Sequence, residues 1–125
     1  MTQLPHSIEL HDSEIGAIVR EGDAVVVRFS RAYIHRDGKG WIQAIDLRIG
    51  SAQVECAQQT FPAQAWDGTL TTSMERYDNL LPIPLGDDGA VVFQVEFTSG
   101  AILLIEGTGL EMSLVSEPIF VEDVD

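Results

Sequence analysis

Hydrophobic and polar positions alternate with a period of two over much of the chain. Val91, Phe93, Val95 and Phe97 share one parity, and Val92, Gln94, Glu96 and Thr98 the other. A strand with one buried face requires this, because successive side chains leave a pleated backbone on opposite sides. Ser99-Gly100 supplies a tight turn and residues 101–106 return, so residues 91–106 are predicted to form a hairpin. The return strand, Ala-Ile-Leu-Leu-Ile, is apolar on both faces. Either it lies centrally beneath other elements, or a second copy covers it in a homodimer that buries Ile102 and Leu104.

A second hairpin is written near the amino end, where residues 14–21 and 24–30 flank Gly22-Asp23. Val25, Val27 and Phe29 form its inward row, but beyond them Ala32 and Ile34 sit on the other parity. A bulge near Ser30-Arg31 accounts for the shift and lets the strand run to about His35. Asp37-Gly38-Lys39-Gly40 then turns the chain into residues 41–49, where Ile45, Leu47 and Ile49 face in. After a break at Gly50-Ser51 this strand extends through Val54 and Cys56.

Residues 57–90 lack sustained periodicity and carry Pro62, Pro82 and Pro84, a residue type excluded from central strands. The expectation there is irregular structure, with a short strand at residues 69–74 and one helical turn at 73–77. Gly86-Asp87-Asp88-Gly89 and Gly107-Thr108-Gly109 are expected to be turns, and residues 110–115 and 119–122 strands, with Leu110, Met112 and Leu114 inward. Adding residues 7–10, about eight or nine short strands predict one all-β domain over residues 1–125: an antiparallel β-sandwich or partly open barrel. Its expected core is Val25, Val27, Phe29, Ile45, Leu47, Val91, Phe93, Val95, Phe97, Leu103, Ile105, Leu110, Met112 and Leu114.

Composition narrows the classes of partner. The 125 residues carry a formal net charge of −13, and all seven basic residues precede position 77, whereas residues 77–125 hold ten of the twenty acidic ones. Nucleic acids and anionic membranes are bound by Lys and Arg neutralising phosphate, so neither is an expected partner. The acidic balance has two readings, a face that steers a basic protein partner or plain solubility in a bacterium with an acidic proteome; the partner expected is a protein. A single cysteine and no apolar run near the length of a membrane span predict a cytoplasmic protein.

Residues able to do chemistry cluster near the amino end: His6, Glu9, His11-Asp12-Ser13-Glu14, and His35 across the first hairpin. His6 and His11 lie five apart, on opposite faces of a continuous strand, and no His-x-His pair is present, so no metal or other cofactor is expected. His11, Asp12 and Ser13 have the residue types of a nucleophilic triad, but consecutive residues in extended chain do not converge. The pattern predicts His11 and Asp12 in a turn, Asp12 accepting backbone hydrogen bonds. The apolar company of Val54 and Ala57 predicts an inert, buried Cys56. Trp41 and Trp66 are expected to pack at the core or its rim. Gly107-Thr108-Gly109 precedes a strand and so lacks the helix amino terminus that cradles phosphate. No residue is singled out as catalytic, and the expectation is a non-enzymatic binding protein. The rival is a hydrolase or isomerase using His11, Asp12 and His35 in a barrel mouth.

Two segments carry a resemblance over a third of the chain: residues 8–15, Ile-Glu-Leu-His-Asp-Ser-Glu-Ile, and residues 101–124, with Ile105-Glu106-Gly107-Thr108-Gly109-Leu110-Glu111 and Glu117-Pro118-Ile119-Phe120-Val121-Glu122-Asp123. They resemble small uncharacterised bacterial all-β proteins, some classed as immunity proteins of polymorphic toxin systems. The resemblance implies a β domain with a turn after Leu10 and a role in binding protein; it implies no functional residues.

Overall fold

The computed structural model describes residues 5–56 and 58–124. Ten strands follow one another: β1 Ser7–Glu21, β2 Ala24–Arg36, β3 Lys39–Ile49, β4 Gln53–Cys56, β5 Ala63–Thr71, β6 Arg76–Asp78, β7 Leu80–Pro82, β8 Gly86–Phe97, β9 Ile102–Leu114 and β10 Ile119–Asp123. Every pairing is antiparallel, and six strands close on themselves in the order β1, β2, β3, β9, β8, β5 and back to β1. The all-β expectation holds, in its barrel form. Among the described residues no helix is long and apolar enough to cross a membrane.

The tight turns follow from local chemistry. Asp37 and Gly38, both at positive φ (54° and 73°), make a two-residue connection whose twist matches the flanking strands β2 and β3. Gly22 at φ 63° opens the two-residue turn between β1 and β2, and Gly100 at φ 91° lies in the longer turn of residues 98–101 between β8 and β9. The ladder of β2 and β3 shifts between Phe29 and Ala32, the expected bulge, and Ala32 and Ile34 consequently point inward with Val25, Val27 and Phe29.

Alternate residues from all six walls fill the interior. Phe29, Phe93, Phe97, Ile45, Leu47, Leu70 and Leu81 are at most 1% exposed, and burying each such side chain contributes about 1.5–3 kcal/mol. Of the expected core, Met112 is only partly buried and Leu114 is 54% exposed: β9 still pairs with β3 there, but its pairing with β8 ends at Glu111, so no β8 strand lies beside these two residues.

Several expectations from the glycines and prolines are corrected. Gly107-Thr108-Gly109 is no turn: β9 runs straight through it, and β3 and β4 pair with β9 on either side in unbroken register, Ile49 with Leu110 and Gln53 with Glu106. The glycines permit close approach, since a Cβ on Gly107 would lie 2.3 Å from the Gly50 carbonyl oxygen. Gly86-Asp87-Asp88-Gly89 is likewise the start of β8, bulged between Asp87 and Ala90. The strand expected at 69–74 is the end of the longer β5, and β6 stands in place of the helical turn. A hydroxyl-capped turn, Thr72 Oγ1 accepting from the Met74 and Glu75 N–H groups, sets β6 back against β5. The inert, buried Cys56 is also overturned: it is exposed, because among the described residues β4 pairs only with β9 and lies outside the closed wall. The return strand β9 does lie centrally, between β8 and β4, yet Ile102 remains 45% exposed on the outer face.

The expected turn at His11-Asp12-Ser13 is absent too. β1 continues through it in a wide bulge, where five steps from Glu9 to Glu14 match two from Tyr33 to Arg31. Side chains repair the broken ladder. The Ser13 hydroxyl accepts the Tyr33 N–H (2.9 Å) and donates to the Glu9 carbonyl (2.7 Å). On the other edge Asn79, at φ 63°, accepts the Leu10 N–H on its carbonyl and the His11 N–H on Oδ1 (2.8 Å each) and donates its own N–H to Gly68. Residues 76–82 thus fill the gap between β1 and β5, pairing with each on one side.

Candidate binding surface

Ile8 and Leu10 point into the barrel, so Ser7 and Glu9 point out, and Ile34 likewise turns Tyr33 and His35 outward. The register pairs Glu9 with Tyr33 and Ser7 with His35, which brings Glu9 and His35 into contact: Oε1 lies 2.5 Å from Nε2. The His35 ring is covered although it faces outward, at 8% side-chain exposure, and Tyr33 packs edge-on against it at 5.3 Å. Nδ1 of His35 is buried with no hydrogen-bond partner among the described residues.

Tyr33 extends this cluster across β3 to β10. Its hydroxyl donates to Glu122 Oε2 at 2.8 Å, and the path is open only because residue 40 is glycine: a Cβ there would lie 2.1 Å from the hydroxyl oxygen. Beside it opens a cleft of about 300 Å³ lined by Asp12, Glu14, Arg31, Tyr33, Ile42, Gln64, Val121 and Glu122. Three carboxylates there face one guanidinium, and Ser30 holds one of them by donating to Glu14 Oε1 at 2.8 Å. Burial, the hydrogen bond to Glu122, and the charges of Glu122, Asp12 and Glu9 together push the Tyr33 phenol up to about 12.

His11 stands on another side of the bulge. Its Nδ1 donates to the Trp66 carbonyl at 2.7 Å, its ring meets the exposed Trp66 edge-on at 4.9 Å, and Asp12 lies 4.0 Å from Nε2. The hydrogen bond to Trp66, with the nearby carboxylates of Asp12, Glu9 and Asp67, raises its pKa against a smaller opposing effect of burial. His11 and His35 share no hydrogen bond, ion pair or ring contact among the described residues; each is committed to a different partner. Ser13, the third residue of the triad pattern, is consumed by the backbone of the bulge. Among the described residues no group of three or more His, Cys, Asp or Glu side chains could hold a metal ion. Of the two tryptophans, Trp41 packs at the rim of the core, against Phe120 at 5.5 Å and beneath Arg36, whereas Trp66 is outside it.

Sequence reasoning grouped Glu9 with His35 but missed their direct contact, and it missed Tyr33 and Glu122 altogether. Glu122 lies 89 residues from Tyr33, and no local spacing records a register set by the route of β9 and β10 along β3. Glu9 and His35 were within reach of the hairpin argument, had the length of the bulge been known. No protein-family model, curated protein or solved structure matches the chain.

Proposed function

We propose that the protein is a small bacterial, cytoplasmic binding module that takes a basic protein partner on the acidic outer face of its barrel. An immunity-type inhibitor is its most concrete form. The observation that carries this reading is the open cleft in which Asp12, Glu14 and Glu122 surround Arg31 and Tyr33. Its charge has the sign of the whole chain, −13, so distant and local fields act together on an approaching cation. The barrel interior supports the same reading, because packed side chains occupy the space where a small-molecule site would sit.

The rival hydrolase or isomerase needs His11, Asp12 and His35 around one pocket. Their separate hydrogen bonds favour binding over that chemistry. Pairing of two copies through the outer face of β9 would bury Ile102 and Leu104, which border a shallow cleft with Glu55, Cys56 and Gln94; sedimentation at micromolar concentration reads it directly.

Affinity capture from the source cell at low and high salt, with the wild type and an Asp12→Asn, Glu14→Gln, Glu122→Gln variant, tests the proposal. A basic protein held by the wild type, and released both by salt and by the neutralised cleft, is the expected result. Capture indifferent to salt and to the three substitutions would overturn it.

A further inference from the structure

The barrel has no edge, but the strands added to it do. β10 continues the path of β9 along β3 after residues 115–118, and among the described residues its backbone pairs only with β3 and the turn before it. Among the described residues nothing pairs with its other side, whose N–H and C=O groups are a template for a further strand. The same stretch gathers exposed apolar side chains: of ten large hydrophobics exposed among the described residues, Leu114, Val115, Ile119, Phe120, Val121 and Val124 all belong to it. A concentration of this kind marks an interaction site rather than scattered surface.

We propose that the free edge of β10 takes up a short extended segment of the basic partner by strand addition. The inference rests on the reading above and names where and how that partner docks. Charge selects the occupant. Residues 77–125 hold ten acidic and no basic residues, so a second copy would bring like charge to the edge, whereas a strand alternating apolar residues with Lys or Arg meets opposite charge. The acidic cleft supplies the counter-charges, being walled by Val121 and Glu122 of β10 itself. A neighbouring strand would run about 4.8 Å from β10, within reach of a Lys or Arg side chain crossing it. Pro118, which lacks an N–H, and the bulge between Phe120 and Glu122 keep the usable edge short and so limit indiscriminate pairing.

Three synthetic heptapeptides test this: alternating Val and Lys, the same sequence with alternate backbone nitrogens methylated, and alternating Val and Glu. Amide hydrogen exchange of residues 119–123 is the readout, with affinity measured at low and high salt and sedimentation of the protein alone. The Val/Lys peptide is expected to protect residues 119–123 at low salt, the methylated form to bind at least about tenfold more weakly, and the Val/Glu peptide not to bind. Ile119→Ser should weaken the Val/Lys peptide without altering the fold, since Ile119 is 62% exposed. Salt-sensitive binding without protection of 119–123, or equal affinity for the methylated form, would overturn strand addition while leaving the acidic-surface reading standing. Self-association that protects 119–123 in the protein alone would overturn the choice of occupant. No binding of either basic peptide would overturn this inference, and failed capture of a basic protein from the cell would bring down the broader reading with it.

Discussion

β8 and β1 are both long strands of the barrel wall, and they are built differently. In β8 the row Val91, Phe93, Val95 and Phe97 is at most 1% exposed, and its backbone pairs with β9 without a break from Ala90 to Glu96. In β1 the buried row runs Ile8, Leu10, Ser13, Ile15, changing parity midway, and the ladder to β2 is interrupted over the same residues. The Tyr33 N–H and Glu9 carbonyl released by that interruption are satisfied by the Ser13 hydroxyl, and on the other edge Asn79, from another part of the chain, accepts the Leu10 and His11 N–H groups. Regular wall is held by backbone and packing; the bulge is held by two side chains, and it is the bulge that carries His11 and Asp12 to the surface beside the acidic cleft.

The contrast can be broken by mutation, most strongly in the regular wall. Phe93→Ala, in the regular wall, should cost about 3–5 kcal/mol through lost burial and a cavity, read as a lowered urea midpoint. Ser13→Ala should cost about 1–3 kcal/mol, because it strands the Tyr33 N–H and the Glu9 carbonyl without adding a cavity. A cost under about 0.5 kcal/mol, as for a typical surface site, would show that water closes the ladder and that the two strands do not differ in what holds them. Asn79→Gly keeps the left-handed backbone at φ 63° and deletes only the bond from the His11 N–H, so a loss of about 1 kcal/mol is expected. Asn79→Ala should cost more, and the difference isolates backbone strain from hydrogen bonding.

A further effect appears only at alkaline pH. Tyr33 titrates near its ordinary 10.0 in the unfolded chain and at about 12 in the folded protein. Between those values the folded state holds a proton that the unfolded state has lost, so stability is retained below pH 10 and declines as pH rises toward 12. Tyr33→Phe should flatten that decline. It should also remove the later part of the tyrosinate absorbance titration and leave Tyr77, whose phenol burial raises as well.

The all-β class, the hairpins around Gly22, Gly38 and Gly100, the bulge at Ser30-Arg31 and most of the core followed from periodicity, because a two-residue repeat beside a tight turn is decided within a few residues of itself. Turn chemistry misled where glycine serves a different purpose: Gly50 and Gly107 let two strands approach, and no pattern within either strand records the other. Cys56 misled for a related reason, since its apolar neighbours imply burial only if the strand belongs to the closed wall. What only the tertiary structure decided is the site. Closure of the barrel through β3 and β9 sends β10 past the end of the wall and sets Glu122 against Tyr33 and the cleft of Asp12 and Glu14. Those residues are scattered from position 12 to 122 and meet because long-range register places them together, whereas hydrophobic alternation specifies only which face each strand buries.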